Sequence, residues 1–126
     1  ICINYLEGLE WVFKYYTTGC VDWRWKYDFH YPPLLNDLKN YIPSWDTSMI
    51  ESNSNLPVTE IIQLSYVLPK KSLKLLPKKI QDKLIKTMSD KYPENCQLEW
   101  SFCKYLWEAH PKLPPININK LEELIT

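Results

Sequence analysis

The chain has 126 residues, 45% hydrophobic and 24% charged, with 15 Lys plus Arg balanced by 15 Asp plus Glu. Such a composition describes one globular domain, residues 1–126, and excludes a disordered chain and a bilayer span, since no apolar run approaches the roughly 20 residues a spanning helix needs. Zero net charge supplies no global field to gather nucleic acid, so any attraction for it has to be local.

Ile1 to Tyr5 carry neither the basic start nor the small-residue cleavage site of a secretory signal, and there is no initiator Met. The chain is therefore expected to be a piece of something longer and to reside in the cytoplasm. Cys2, Cys20, Cys96 and Cys103 contain no C-x-x-C pair, so a zinc knuckle is not expected and buried reduced thiols are.

Tyr5, Leu6, Leu9, Val12, Phe13 and Tyr16 recur at helical spacing, with Glu7, Glu10 and Lys14 on the other side, and predict a helix from Leu6 to Tyr16 that Gly19 stops. The run from Gly19 to Pro33 packs two Trp, two Tyr, a Phe, a His, an Arg and a Lys ahead of a double proline, which predicts a rigid aromatic loop. A short helix from Leu34 to Tyr41 follows, with Pro33 in its first turn and Pro43 barring its continuation. Residues 44–55 are polar and unpatterned, a surface loop and the leading candidate for mobility.

Pro57 and Thr59 announce a helix whose Ile61, Ile62, Leu64, Tyr66, Val67 and Leu68 are expected to be buried on more than one side, up to Pro69. Ser72 is expected to cap a short helix carrying Leu73, Leu75 and Leu76. Lys78 to Met88 reads as the next helix, with Ile80, Leu84, Ile85 and Met88 inward and Lys79, Asp82, Lys83 and Lys86 outward. A short extended segment is expected over Gln97 to Trp100. Ser101 to His110 then predicts a helix with Phe102, Cys103, Leu106 and Trp107 inward, stopped by Pro111. Leu113 to Ile116 crosses as an extended strip, and Asn119 with Glu122 forms a capping box for a last helix, Lys120 to Ile125. No segment sustains strict alternation, and ten prolines divide the chain. The fold class is all-α, an irregular bundle of short, proline-delimited helices around an aromatic loop.

Catalytic chemistry finds little purchase. Acidic residues are spread one or two per element, without the density of a two-metal site. His30 and His110 stand far apart, with no Ser or Cys in a nucleophile context, and two glycines cannot make a dinucleotide fingerprint or a phosphate loop. No catalytic residue and no metal ligand is assigned. The aromatic and cationic residues remain. In an extended loop Trp23 and Trp25 point the same way, with Arg24 between them pointing oppositely. Such a platform can stack a base at about 1–3 kcal/mol while Arg24 or Lys26 reaches a phosphate. Pattern alone favours the alternative that the two indoles plug a core or an interface, since Trp is more often structural than ligand-contacting. Between Lys70 and Lys86, seven Lys stand against one Asp, either as a solvated helix face or as a phosphate track.

Several spaced motifs carry a resemblance. Tyr5-Leu-Glu-Gly-Leu-Glu-Trp11-Val-Phe-Lys-Tyr-Tyr16, then Gly19-Cys-Val-Asp-Trp-Arg-Trp-Lys-Tyr-Asp-Phe-His-Tyr-Pro-Pro33 and Asp37-Leu38, resemble the second conserved region of the XRN family of 5′→3′ exoribonucleases. Its pattern there is an E-G-L-x-W-V-x-x-Y-Y helix, a W-x-W-x-Y loop, an H-Y-x-P turn and a D-L. Leu56-Pro-Val, Gln63-Leu, Val67-Leu-Pro69, Leu75-Leu-Pro77, Tyr92-Pro-Glu94, Trp107-Glu108 and the closing Pro115-Ile to Leu121 resemble later motifs in the same order. Gln97 to Ala109 is nearer to divergent, viral members than to the common eukaryotic pattern.

The resemblance implies an enzyme that degrades RNA bearing a 5′ monophosphate, using two Mg²⁺ held by an N-terminal nuclease domain absent from this chain. It implies that the helical region packs on that domain and that one of its tryptophans stacks on the bases of single-stranded RNA. The RNA-binding candidates carried over are Trp25, the preferred one, and Trp23, with Arg24 and Lys26 beside them and His30 and Tyr31 shaping the loop. This chain alone is expected to be inactive, with no cofactor of its own and no membrane partner. The alternative is a non-catalytic scaffold derived from such a domain, which would bury both indoles.

Overall fold

Residues 1–126 are described by a computed structural model in which about half of the chain is helical and the regular sheet is a single two-stranded pair. The helical class expected from the sequence holds. Two compact units divide the chain, Ile1–Pro57 and Val58–Thr126.

The first unit is built on α1, Cys2–Thr17. Its last turn closes where the N–H groups of Thr18 and Gly19 both bond the Lys14 carbonyl, at 2.8 and 2.9 Å. Gly19 holds φ at +118°, a region open to glycine and strained for residues with a Cβ. The apolar stripe expected on this helix forms, but most of it is uncovered. Leu9, Val12, Phe13 (68% exposed) and Tyr16 (81% exposed) face solvent. Asn4, Gly8, Glu10, Trp11 and Lys14 meet the rest of the unit instead. Periodicity reports that an apolar face exists but not what covers it. α2, Leu35–Leu38, continues as a 3-10 turn over Lys39–Tyr41, where a short helix from Leu34 to Tyr41 was expected, and buries Leu38.

Residues 44–55 are irregular, as expected, but tethered. Glu10 Oε2 accepts the Met49 N–H at 2.6 Å, the Ser48 hydroxyl lies 2.8 Å from Glu10 Oε1, and the Asn53 N–H bonds the Val21 carbonyl at 2.8 Å. Within the segment, Ile50 is buried. The Lys14 ammonium, 2.6 Å from Glu10, and these donors hold the Glu10 carboxyl at about 2, well below the usual carboxylate range. Because the folded-state value is depressed, the contact contributes fully above pH 4.5, the unperturbed value, and is lost as pH falls through about 2. An NMR titration of the Met49 amide should therefore show its midpoint near pH 2. Glu10→Gln should displace that resonance already at neutral pH. A midpoint at the ordinary carboxylate value would show that Glu10 is not the acceptor.

The second unit packs α3 (Glu60–Val67), a 3-10 stretch (Lys70–Leu75), α4 (Lys78–Met88), a 3-10 turn (Ser89–Lys91) and α5 (Ile118–Ile125). Ile62, Leu73, Leu76, Leu84, Met88, Tyr92 and Leu121 form its core. Ser65 is fully buried among them, and its hydroxyl donates to the Ile61 carbonyl at 2.7 Å. The Tyr92 hydroxyl donates to the Ser65 carbonyl at 2.8 Å, so these buried polar groups are satisfied. Burial raises the Tyr92 phenol above its ordinary value.

α4 has the expected bounds, but Ile85 is exposed rather than inward. α3 is buried only through Ile62 and Ser65, one line at three-residue spacing, while Leu64, Tyr66 and Val67 lie open. Ser72 sits inside the 3-10 stretch and does not cap it; its N–H bonds the Pro69 carbonyl at 2.8 Å. The last helix starts earlier than expected, capped by Asn117, whose side chain accepts from the N–H groups of Asn119 and Lys120 at 3.0 and 3.2 Å.

The largest departure lies at Ser101–His110, which forms no α-helix and keeps only a 3-10 turn over Leu106–Glu108. β1 (Gln97–Glu99), the expected extended segment, pairs antiparallel with β2 (His110–Lys112) in the register Gln97 with Lys112, Leu98 with Pro111 and Glu99 with His110. Pro111 is tolerated because both strands are edges. Between them the Glu108 carboxylate accepts the N–H groups of Tyr105 and Lys104 at 2.9 and 2.6 Å, which holds its pKa below the ordinary value. Those bonds occupy donors that a helix would direct to its own carbonyls. Phe102, at φ 60°, is 96% exposed, and Tyr105 and Trp107 stack at 4.5 Å. All four cysteines are free, but none is buried: three are partly covered and Cys96 is exposed. No helix is long and apolar enough to cross a membrane.

Candidate nucleic-acid interface

Asn4, Gly8, Trp11 and Tyr15 lie at helical spacing along one side of α1, and the aromatic loop is laid against that line. The Asp28 N–H bonds Asn4 Oδ1 at 2.9 Å, and the Trp11 indole N–H bonds the Asp22 carbonyl at 2.8 Å. Trp11 stacks on Tyr15, with centroids 5.3 Å apart and planes at 10°, and on Trp25, at 6.1 Å and 22°. A Cβ at Gly8 would stand 2.6 Å from Trp25 Cη2, so the ring reaches its place only because residue 8 has no side chain.

Further along, Tyr27 packs edge-on against Tyr5 at 5.9 Å and donates its hydroxyl to the Tyr31 carbonyl at 2.7 Å. Burial, followed by the neighbouring Tyr5 and Cys2, raises the Tyr27 phenol above its ordinary value. Phe29 leans on the same ring at 5.6 Å. These contacts place Tyr31 at the base of the loop.

Trp25 is half-buried and lines a depression of about 570 Å³ together with Glu7, Asp22, Glu51 and Asn53. Trp23 is 52% exposed. Asp22 Oδ1 accepts the Arg24 N–H at 2.7 Å and forms a turn at Trp23-Arg24, which breaks the extended backbone expected there. The two indoles therefore end in different surroundings instead of on one shared platform. The Arg24 side chain is partly committed, its Nε–H donating to the Leu56 carbonyl at 2.9 Å. Lys26 is exposed and paired with Asp28, a surface contact that contributes little to stability. His30 is exposed beyond Phe29.

Electrostatics favour a base over a phosphate here. Glu7, Asp22 and Glu51 border the depression, and carboxylates accept from the exocyclic amino groups of bases but repel phosphate oxygens. No group of three or more His, Cys, Asp or Glu side chains in the chain could hold a metal ion.

Gly8 and Trp11, which set the position of Trp25, carried no expected role. Gly8 did leave a signal. It is one of two glycines in the chain, and a glycine inside a helix costs about 1 kcal/mol relative to alanine unless something packs on it.

Residues 1–126 match the family model described as the Xrn1 helical domain. The chain is 36% identical over 121 residues to 5′-3′ exoribonuclease 2 of Schizosaccharomyces pombe, covering 94% of this chain and 12% of that protein. It is 34% identical over 121 residues to 5′-3′ exoribonuclease 1 of the same yeast, covering 94% of this chain and 9% of the relative. With 5′-3′ exoribonuclease 1 of Saccharomyces cerevisiae the identity is 36% over 109 residues, covering 84% and 7%. The chain thus spans about an eighth or less of the length of these relatives.

Proposed function

The chain belongs to the Xrn1 helical domain family, and from that premise we propose that it is the module of a cytoplasmic 5′-3′ exoribonuclease that positions the 5′ end of single-stranded RNA. In this reading Trp25 stacks on a base entering the depression that it lines. Glu7, Asp22 and Glu51 meet the edges of that base. Trp23, open to solvent, receives a neighbouring base, while Arg24, Lys26 and His30 border the strand. Hydrolysis and its two Mg²⁺ belong, in this reading, to a nuclease domain of the same protein. The exposed stripe Leu9, Val12, Phe13 and Tyr16 on α1 is the surface this module offers to that domain.

The observation that carries the reading is Trp25 itself, fixed by Trp11 on one side and by the absence of a side chain at Gly8, yet still lining an open depression. A ring held in advance loses little freedom when a base stacks on it, which is what preorganised recognition requires. The scaffold alternative would bury both indoles, and Trp23 at 52% exposure counts against it.

The test is the affinity of the full-length protein for a fluorescent, 5′-phosphorylated single-stranded RNA, with hydrolysis suppressed by EDTA. Trp25→Ala should weaken binding by about 1–3 kcal/mol, roughly 5- to 150-fold, and Trp23→Ala by the lower part of that range. Unchanged affinity in both variants would end the stacking reading.

A further inference from the structure

We propose that the lysines of Lys71 to Lys86 form a track for the phosphodiester backbone of single-stranded RNA. The second unit holds eleven Lys against eight Asp plus Glu, whereas the first holds four Lys plus Arg against seven acids, so the neutral total hides a segregation of charge. Within the second unit the excess is concentrated. On α4, Lys79, Lys83 and Lys86 fall at i, i+4 and i+7, on the face turned away from the buried Leu84 and Met88, with Asp82 as the one acid at its flank. Lys71 and Lys74 are three apart on the preceding 3-10 stretch, whose repeat of three residues per turn stacks them on one side, and Lys78 opens α4.

The positions are exposed throughout, and their commitments are few. Lys70 pairs with Glu94 at 3.1 Å, and Lys83 donates to the Leu124 carbonyl at 2.9 Å. Lys71, Lys74, Lys78, Lys79 and Lys86 have no ion-pair partner. Core packing does not account for them, because the apolar residues of the same elements, Leu73, Leu76, Leu84 and Met88, make that contact. Steps of roughly 4.5–6 Å along α4 present successive point charges to a flexible polyanion, which needs no fixed geometry from an ammonium group. The ligand class follows from the proposed function, on which this inference rests: the polyanion that an exoribonuclease module meets is RNA.

Counterion release gives the readout. In the full-length protein with EDTA, binding of fluorescein-labelled, 5′-phosphorylated oligouridylate is measured against salt. For single strands the slope of log K against log salt falls by about 0.7 for each phosphate contact removed. The variant Lys71→Gln/Lys74→Gln/Lys79→Gln/Lys86→Gln should therefore lose about 2 to 3 from that slope, while Trp25→Ala weakens binding and leaves the slope in place. A lysine variant with the parental slope overturns the track, and leaves the stacking reading standing if Trp25→Ala still weakens binding. Absence of any RNA binding by the parent overturns both. Binding of the parent, but not of the variant, to phosphatidylserine vesicles with an unchanged RNA slope would assign the lysines to a lipid surface and overturn the track.

Discussion

Leu121→Ala should destabilise the second unit by about 2–5 kcal/mol, a fall of roughly 10–20 °C in melting temperature. Leu121 is fully buried, and it is the residue through which α5 enters the shared core with Ile62, Leu84 and Tyr92. α5 has only eight residues, too few to persist as an isolated helix in water. Its Asn117 cap, contributing about 1 kcal/mol, cannot replace tertiary packing. Truncation therefore removes both the apolar contact and the reason for α5 to stay folded, which places the cost in the upper half of the range. Thermal unfolding followed by circular dichroism checks this. A shift of only a few degrees would mean that α5 contributes little to the core.

Gly8→Val should cost about 1–3 kcal/mol and disturb the aromatic loop, although glycine is the poorer helix former. The new Cβ would stand 2.6 Å from Trp25 Cη2, and the atom it meets belongs to a rigid ring stacked on Trp11, not to the end of a flexible chain. Trp25 must therefore leave its place or α1 must bend. Gly8→Ala makes the sharper comparison, because on propensity alone it would stabilise the helix by about 1 kcal/mol, whereas the contact predicts a net loss. The readouts are melting temperature and a red shift of tryptophan emission as Trp25 becomes solvated. An alanine variant more stable than the parent would show that the ring gives way freely.

The legibility of the fold followed the source of each signal. α4 was readable because lysines and apolar residues alternate there at the helical period and Pro77 and the Tyr92-Pro93 turn bound it. Ser101–His110 was not, because its apolar spacing imitates a helix while the deciding interaction, the Glu108 carboxylate on the N–H groups of Lys104 and Tyr105, is a single side-chain choice with no periodicity. The stripe on α1 was visible as a stripe, but periodicity does not say whether a stripe is covered, and this one is exposed. For the candidate site, the aromatic loop stood out by composition and the family by its spaced motifs. The turn that separates Trp23 from Trp25 depends on one Asp22 oxygen, and the support from Trp11 depends on the register of a helix against a loop. The first is a local cue that neither composition nor periodicity counts, and the second is not written locally.

At the end of α1 the two glycines of the chain part company. Around Gly19 nothing lies within 4 Å of where a Cβ would be, so volume is no obstacle there, in contrast to Gly8. What excludes other residues at 19 is handedness. A backbone at φ +118° suits the mirror-image configuration, so D-alanine would sit at this junction without strain and would narrow the unfolded ensemble, while its L-enantiomer would pull the chain away from the entrance to the aromatic loop. The direction in which the loop leaves the helix is thus set by stereochemistry at one α-carbon.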